Sequence, residues 1–198
     1  MVPQDSDAPR GEGTHVPRLE TVRLLLRPIT RQDAPAIQAH FGRWEIISNL
    51  AKAVPWPYPG DGAVRFIEDV VLPGEQDGTK LCWAITEKAR PDALIGIIDY
   101  RVDDERDNRG FWLAEPFQGR GYMTEAVEAF QDHVLLELGV ERIYVMNSIT
   151  NTRSRRIKEK TGARLLGEIE VDHHSGSSRT ERWEVTREAW AKIRGRTL

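Results

Sequence analysis

The chain has 198 residues, enough for one domain of ordinary size with a buried core. Its 28 Lys and Arg stand against 31 Asp and Glu, a formal net charge of -3 with the two signs interleaved, which excludes a general attraction to nucleic acid. The one cysteine, Cys82, excludes an internal disulfide framework and a cysteine-based zinc cluster, and no apolar run approaches the roughly 20 residues of a membrane-spanning helix.

Met1 to Pro17 carries Pro, Gly, Asp and Ser without an apolar segment and reads as a disordered tail rather than a signal peptide, leaving one domain over residues 18–198 and a cytoplasmic protein as the default. Leu19 to Ile29, with Val22, Leu24, Leu25 and Leu26, predicts a first strand bounded by Pro28. Thr30 with Asp33 three residues on has the pattern of a capping box, opening a helix through Ala34, Ile37 and Phe41. After the Pro-rich stretch of residues 54–59, Asp61 is a candidate N-cap for a second helix with Val64, Ile67 and Val71 on one face. Trp44, Trp56 and Tyr58 cluster around this connection; aromatic residues among prolines either cover a core edge or form a substrate wall.

Three strand-like segments follow, Lys80 to Thr86, Leu94 to Val102 and Asn108 to Ala114, separated by turn-rich residues 88–92 and polar residues 103–107. They predict an antiparallel meander, with Cys82 as a small core residue. Pro116 then ends the strand, and Met123, Ala126, Val127, Phe130, Val134 and Leu138 recur at helical spacing up to Gly139, a natural C-cap. Between strand and helix lies Gln118-Gly119-Arg120-Gly121-Tyr122. Two glycines let backbone N–H groups converge at the start of the helix, where unpaired donors and the positive end of the dipole favour a phosphate. A tight turn and nothing more is the competing reading. The P-loop pattern is absent, and Thr124 stands where a dinucleotide fold requires a third glycine.

Arg142 to Ile149 reads as a strand with Ile143, Val145 and Met146 inward, and Asn151 or Thr152 caps a short helix from Arg153 to Thr161, stopped by Gly162. Strands over Arg164 to Val171 and Arg182 to Thr186 and a last helical turn over Glu188 to Arg194 complete one mixed α/β domain without internal repeats.

From Leu19 to Trp190 the chain resembles the GNAT N-acetyltransferase superfamily, and most closely its RimJ/RimL-type ribosomal-protein N-acetyltransferases. The resemblance rests on Leu24-Leu25-Leu26-Arg27-Pro28, Ile95-Gly96, Phe111-Trp112-Leu113 and Gln118-Gly119-Arg120-Gly121-Tyr122-Met123, with Met123 in the small-residue position of the acetyl-CoA motif. Asn151-x-x-Ser154 followed by Thr161-Gly162-Ala163 is similar to the second family signature, with Lys158 where many relatives carry a tyrosine. The resemblance implies a GNAT-type domain whose central, mostly antiparallel sheet splays around acyl-CoA, with helices on both faces. It implies acetyl-CoA as donor without a metal, a primary amine as acceptor, and a homodimer, the form common among relatives. The diphosphate would lie on the amides of Gly119 to Met123, shaped by Gln118 and assisted by Arg120. Pantetheine would lie between the strands at Asn108 to Ala114 and Arg142 to Ile149, with an N–H near Trp112 or Leu113 polarising the thioester.

Transfer needs a neutral amine, so a base near neutrality is useful. His173 follows the strand that lines the acceptor side in this family, where RimL-type relatives carry a carboxylate; Asp172 and Glu45 are reserve bases, and His173 and His174 as ordinary loop histidines are the bland reading. Ser154 is placed by the motif to hand the leaving thiolate a proton and Asn151 to orient the cofactor, although either also suits a helix cap. Trp44, Glu45, Trp56, Tyr58 and His174 are candidate acceptor contacts. The expected function is acetyl transfer to a protein N-terminus or a small amine by direct attack in a ternary complex. Antibiotic or aminonucleotide acetylation and a silent acyl-CoA-binding module are the rivals.

Overall fold

The structure, a computed structural model, describes residues 16–102 and 104–198. Of the expected tail, residues 1–15 lie outside the described residues, whereas Val16 is buried and the Pro17 carbonyl accepts from Trp83 Nε1 at 2.8 Å. In chain order the elements are β1 Leu19–Glu20, β2 Leu24–Pro28, α1 Ala34–Phe41, α2 Trp44–Ile47, α3 Gly62–Arg65, α4 Leu72–Gln76, β3 Lys80–Glu87, β4 Arg90–Arg101 and β5 Arg109–Leu113. There follow α5 Tyr122–Gln131, β6 Arg142–Ser148, α6 Thr152–Lys160, β7 Arg164–Glu170, β8 Arg179–Thr186 and α7 Arg187–Ile193. The expected first strand is thus a hairpin, turned at residues 21–23, where the Thr21 hydroxyl accepts from the Leu24 amide.

The strands form two sheets, β1-β2-β3-β4-β5 and β6-β8-β7, antiparallel throughout. Alternation along β3 shows why the first sheet is covered on both faces. Leu81, Trp83 and Ile85 pack toward α5 with Met123, Ala126, Val127 and Phe130, while Cys82 and Ala84 pack toward α1 and α3 with Ile37, Ala63 and Ile67. Each fully buried Leu, Ile, Val, Met or Phe side chain among them contributes about 1.5–3 kcal/mol. The Thr30–Asp33 capping box forms as expected, with Asp33 Oδ2 accepting from the Thr30 amide at 2.8 Å and Arg27 paired to the same carboxylate.

Three inward positions expected from spacing differ. Val64 is exposed and Ala63 buried in its place; the Ala63 amide donates to Gln38 Oε1, so the helix start is capped from α1 and not by the Asp61 side chain. Leu138 is exposed because the helix widens to a π-helical stretch over Asp132–Glu137, which shifts the phase after Leu135. Met146 alternates away from the fully buried Ile143 and Val145 and is only half-buried.

Between β5 and β6 the sheet opens. At the beginning of β5 the two sides are tied, with the Asn108 amide donating to the Tyr144 carbonyl at 3.0 Å and the Tyr144 amide to Asn108 Oδ1 at 2.8 Å. Farther on, β5 pairs only with β4 and β6 only with β8. The result is a wedge-shaped gap whose mouth lies beneath the start of α5.

Candidate active site

Gly119 and Gly121 have φ of 77° and 80°, left-handed values that only glycine adopts without strain, and they swing the chain so that Gly121 caps α5. The first amide of this segment with a backbone acceptor is that of Glu125, which donates to the Gly121 carbonyl at 3.1 Å. Among the described residues, the amides from Gly119 to Thr124 make no hydrogen bond, and a side chain added at Gly119 would meet open space. Six free donors at the positive end of a helix form a cradle that suits an anion.

Side chains fix this loop from three directions. Gln118 Nε2 donates to the Leu113 carbonyl at 2.8 Å, and its Oε1 accepts from Arg153 at 2.6 Å. Glu125 accepts from Thr21 and from the backbone and side chain of Arg23, which also holds the Arg120 carbonyl. Tyr122 lies beneath the Arg23 guanidinium and donates to Glu87. Arg120 is exposed and rests over Phe117, so Arg23, Arg120 and Arg153 surround the cradle with positive charge. Sequence spacing does not reveal Arg23 or Arg153, because neither lies in the glycine turn. The Met123 side chain packs into the core, and only its amide belongs to the cradle.

The Ala114 amide donates to the Ile95 carbonyl on β4. By alternation, Phe111 and Leu113 turn their backbone groups to the opposite edge, which borders the gap, and this distinguishes Leu113 from Trp112 as the amide available there. The near wall of the gap is unusually charged for its burial. Arg109 is 3% exposed, with Nη1 on Gln131 and two nitrogens unpaired, and burial lowers its pKa to about 10. Lys158 is 1% exposed and donates to Ser154 Oγ at 2.7 Å. Burial pushes its ammonium well below the ordinary lysine range, neighbouring Arg109 adds to this, and Asp107 opposes it. Asp107 is itself raised to about 6 by burial, against the pull of Arg101 and Lys158. Asn151 caps α6 by accepting from the Ser154 amide at 3.1 Å, which engages the side chain expected to orient the cofactor.

On the other side of β5 lies a cavity of about 190 Å³ lined by Phe41, Tyr58, Phe66, Phe111, Trp112 and, at its polar end, Asp99. Trp112 is therefore a wall of this cavity, 5.4 Å from the Phe41 ring. Tyr58 packs so closely over Gly62 that an added Cβ would stand 2.7 Å from its ring. Asp99 is held by Lys80, by Arg101 and by the Gly110 amide; burial raises its carboxyl, but these partners bring it below the ordinary value. Trp44 and Trp56 meet at 5.1 Å with their rings tilted by 52° and are exposed, with His174 beside Trp44, its Nε2 on the Val54 carbonyl. Glu45 is exposed on α2. His173 is 5% exposed with Nε2 against Thr180 Oγ1 at 2.7 Å and Nδ1 unpaired, and its backbone bridges to Ala51, so it sits packed at a corner of the fold.

Comparison with known proteins agrees with this architecture. Residues 23–164 match the acetyltransferase (GNAT) domain family. An uncharacterized N-acetyltransferase of Bacillus subtilis, YoaA, is 28% identical over 160 residues, covering 76% of this chain and 85% of that protein. Among solved structures, RimL, a ribosomal L7/L12 α-N-protein acetyltransferase in complex with coenzyme A, superposes with a TM-score of 0.73 at 17% identity, over 87% of this chain and 99% of that one. Spermidine N-acetyltransferase from Vibrio cholerae, in complex with CoA and spermine, gives a TM-score of 0.71 at 17% identity, over 84% and 97%. The free amides ahead of α5, the open gap beside β5 and the family match over most of the chain lead to one conclusion: this protein belongs to the GNAT acetyltransferases and is an acyltransferase.

Proposed function

We propose that the chain transfers the acetyl group of acetyl-CoA to a primary amine by direct attack in a ternary complex, with an α-amine, as at a protein N-terminus, as the preferred acceptor. The observation that carries the reading is the row of unbonded amides from Gly119 to Thr124, which opens onto the gap between β5 and β6. The diphosphate would lie on those amides, with Arg23, Arg120 and Arg153 around it, and the pantetheine arm in the gap. Bound acetyl-CoA supplies the activated acetyl thioester. The Leu113 amide would polarise its carbonyl, and Ser154 would meet the sulfur.

The preference for an α-amine follows from what surrounds the cavity. Asp99 is occupied by two cations and an amide, and His173 is buried outside the lining of this cavity, so neither offers an open carboxylate or imidazole to an amine there. An α-amine, with a free pKa of about 8, is partly neutral at physiological pH and loses its proton to water readily; a lysine or polyamine nitrogen, above about 10, does not. The exposed Trp44–Trp56 pair favours a second acceptor class, an aromatic small-molecule amine packed against those rings.

A thiol-release assay with a short peptide bearing a free N-terminus, spermine and an aminonucleotide tests the assignment. Release with the peptide, lost when its N-terminus is blocked, is expected. Binding of acetyl-CoA without release for any amine would make the protein a silent acyl-CoA module.

A further inference from the structure

Lys158 is a fully buried amine on the inner side of α6, one turn after Ser154, and its Nζ donates to Ser154 Oγ at 2.7 Å. Since that oxygen acts as acceptor, the serine's own proton is directed elsewhere, and no acceptor for it exists among the described residues. The Lys158 Nζ and Arg109 Cζ lie 5.8 Å and 5.5 Å from the Phe111 ring, and Phe111 also lines the acceptor cavity. The pair therefore stands beside the place where the thioester must lie if the acetyl group is to meet an amine. Burying an ammonium is costly, and the nearest carboxylate, Asp107, already faces Arg101. Packing alone would be served as well by methionine at this position.

We infer that Lys158 and Ser154 form a two-residue proton relay that discharges the coenzyme A sulfur. This rests on the acetyl-CoA reading above. As the amine nitrogen bonds to the acetyl carbon, the carbon–sulfur bond breaks and its electron pair goes to sulfur. The sulfur takes the Ser154 hydroxyl proton while Ser154 Oγ takes one from the Lys158 ammonium. Lys158, left as a neutral amine, regains its proton from water, and the surplus proton on the new amide nitrogen passes to water, so no proton is gained or lost overall. A serine hydroxyl alone is a far weaker acid than a thiol and cannot end as an alkoxide; coupling to an ammonium removes that obstacle. Burial and Arg109 lower the pKa of that ammonium, against the opposing pull of Asp107, and make it a readier proton donor than an ordinary lysine. The groups that face Lys158 are Arg109 from β5 and Asp107 from the preceding loop, with Ser154 on its own helix. Ser154 touches the sulfur and is the catalytic group; Lys158 acts through it as a positioning residue.

The test compares wild type with Lys158→Met, which keeps the chain length and removes the ammonium. The first readout is the thiolate absorbance of bound coenzyme A against pH, which requires no acceptor. Loss of the neighbouring charge should raise the thiol midpoint by about one pH unit. The second is kcat with whichever amine of the panel releases thiol. It should fall about 10- to 100-fold with an unchanged KM for acetyl-CoA, and the alkaline limb of the wild-type profile should disappear. Thermal unfolding separates this from a structural role, because a methionine there should leave the midpoint unchanged or raised. An unaltered thiol titration with an unaltered alkaline limb would overturn the relay, as would intact-mass evidence that acetyl accumulates on Lys158 itself. If wild type binds no coenzyme A at all, the acetyl-CoA reading has failed, and the relay falls with it for that separate reason.

Discussion

Burial pushes the imidazole of His173 below the ordinary histidine range, against the pull of the Leu50 and Asn49 carbonyls nearby. The unfolded chain therefore binds a proton at a higher pH than the native one does. Stability contributed by this site is fully present above about 6.5 and is lost as pH falls through the window beneath it. His173→Gln, which keeps a partner for Thr180, should flatten the decline in thermal midpoint between pH 6.5 and 5 and change kcat less than about threefold. A kcat loss as large as that expected for Lys158→Met would return His173 to the mechanism. The residue-level lesson concerns burial. His173 attracts attention because imidazole titrates near neutrality, and Lys158 is legible only as a missing tyrosine; which of the two faces the gap depends on α6 and the loop after β7 folding against β6 and β8, information that no local spacing carries.

At the scale of elements, Gly96 decides how β4 and β5 meet. A Cβ there would stand 2.5 Å from the Trp112 carbonyl oxygen, a backbone atom that cannot move without disturbing the pairing. One residue earlier, the register passes from Ile85↔Gly96 to Thr86↔Leu94, leaving Ile95 as a bulge whose carbonyl receives the Ala114 amide. Gly96→Ala should cost about 1–3 kcal/mol in chemical denaturation and weaken acetyl-CoA binding, because β5 carries Leu113 and Phe111 into the gap. Unchanged stability and affinity would refute that role. The β3–β5 meander, the capping box, the glycine turn ahead of α5 and the Asn151 cap are readable in sequence, since each rests on residues close together in the chain. The hairpin at β1–β2, the phase shift that exposes Leu138 and the Gln38 cap on Ala63 depend on partners farther away, and spacing alone misplaces them.

For the whole molecule, ligand and fold are linked through the cradle. Acetyl-CoA at a hundred times its Kd should add about 2.7 kcal/mol, raising the midpoint of a domain this size by about 5–10 °C in differential scanning fluorimetry. Gly121→Val places a β-branched residue at a φ of 80° and should remove most of that increment. A full shift in a folded Gly121→Val protein would place the diphosphate elsewhere. Two contacts bracket the gap along β5. At one end Asn108 and Tyr144 exchange hydrogen bonds, and at the other the Gln118 amide spans from the Leu113 carbonyl to Arg153 on α6. The open end of the gap is thus braced by side chains alone, through one exposed hydrogen bond from Arg153 to Gln118. Gln118→Ala should loosen that brace, and a wider range of acyl-CoA esters accepted in a thiol-release assay is the expected result.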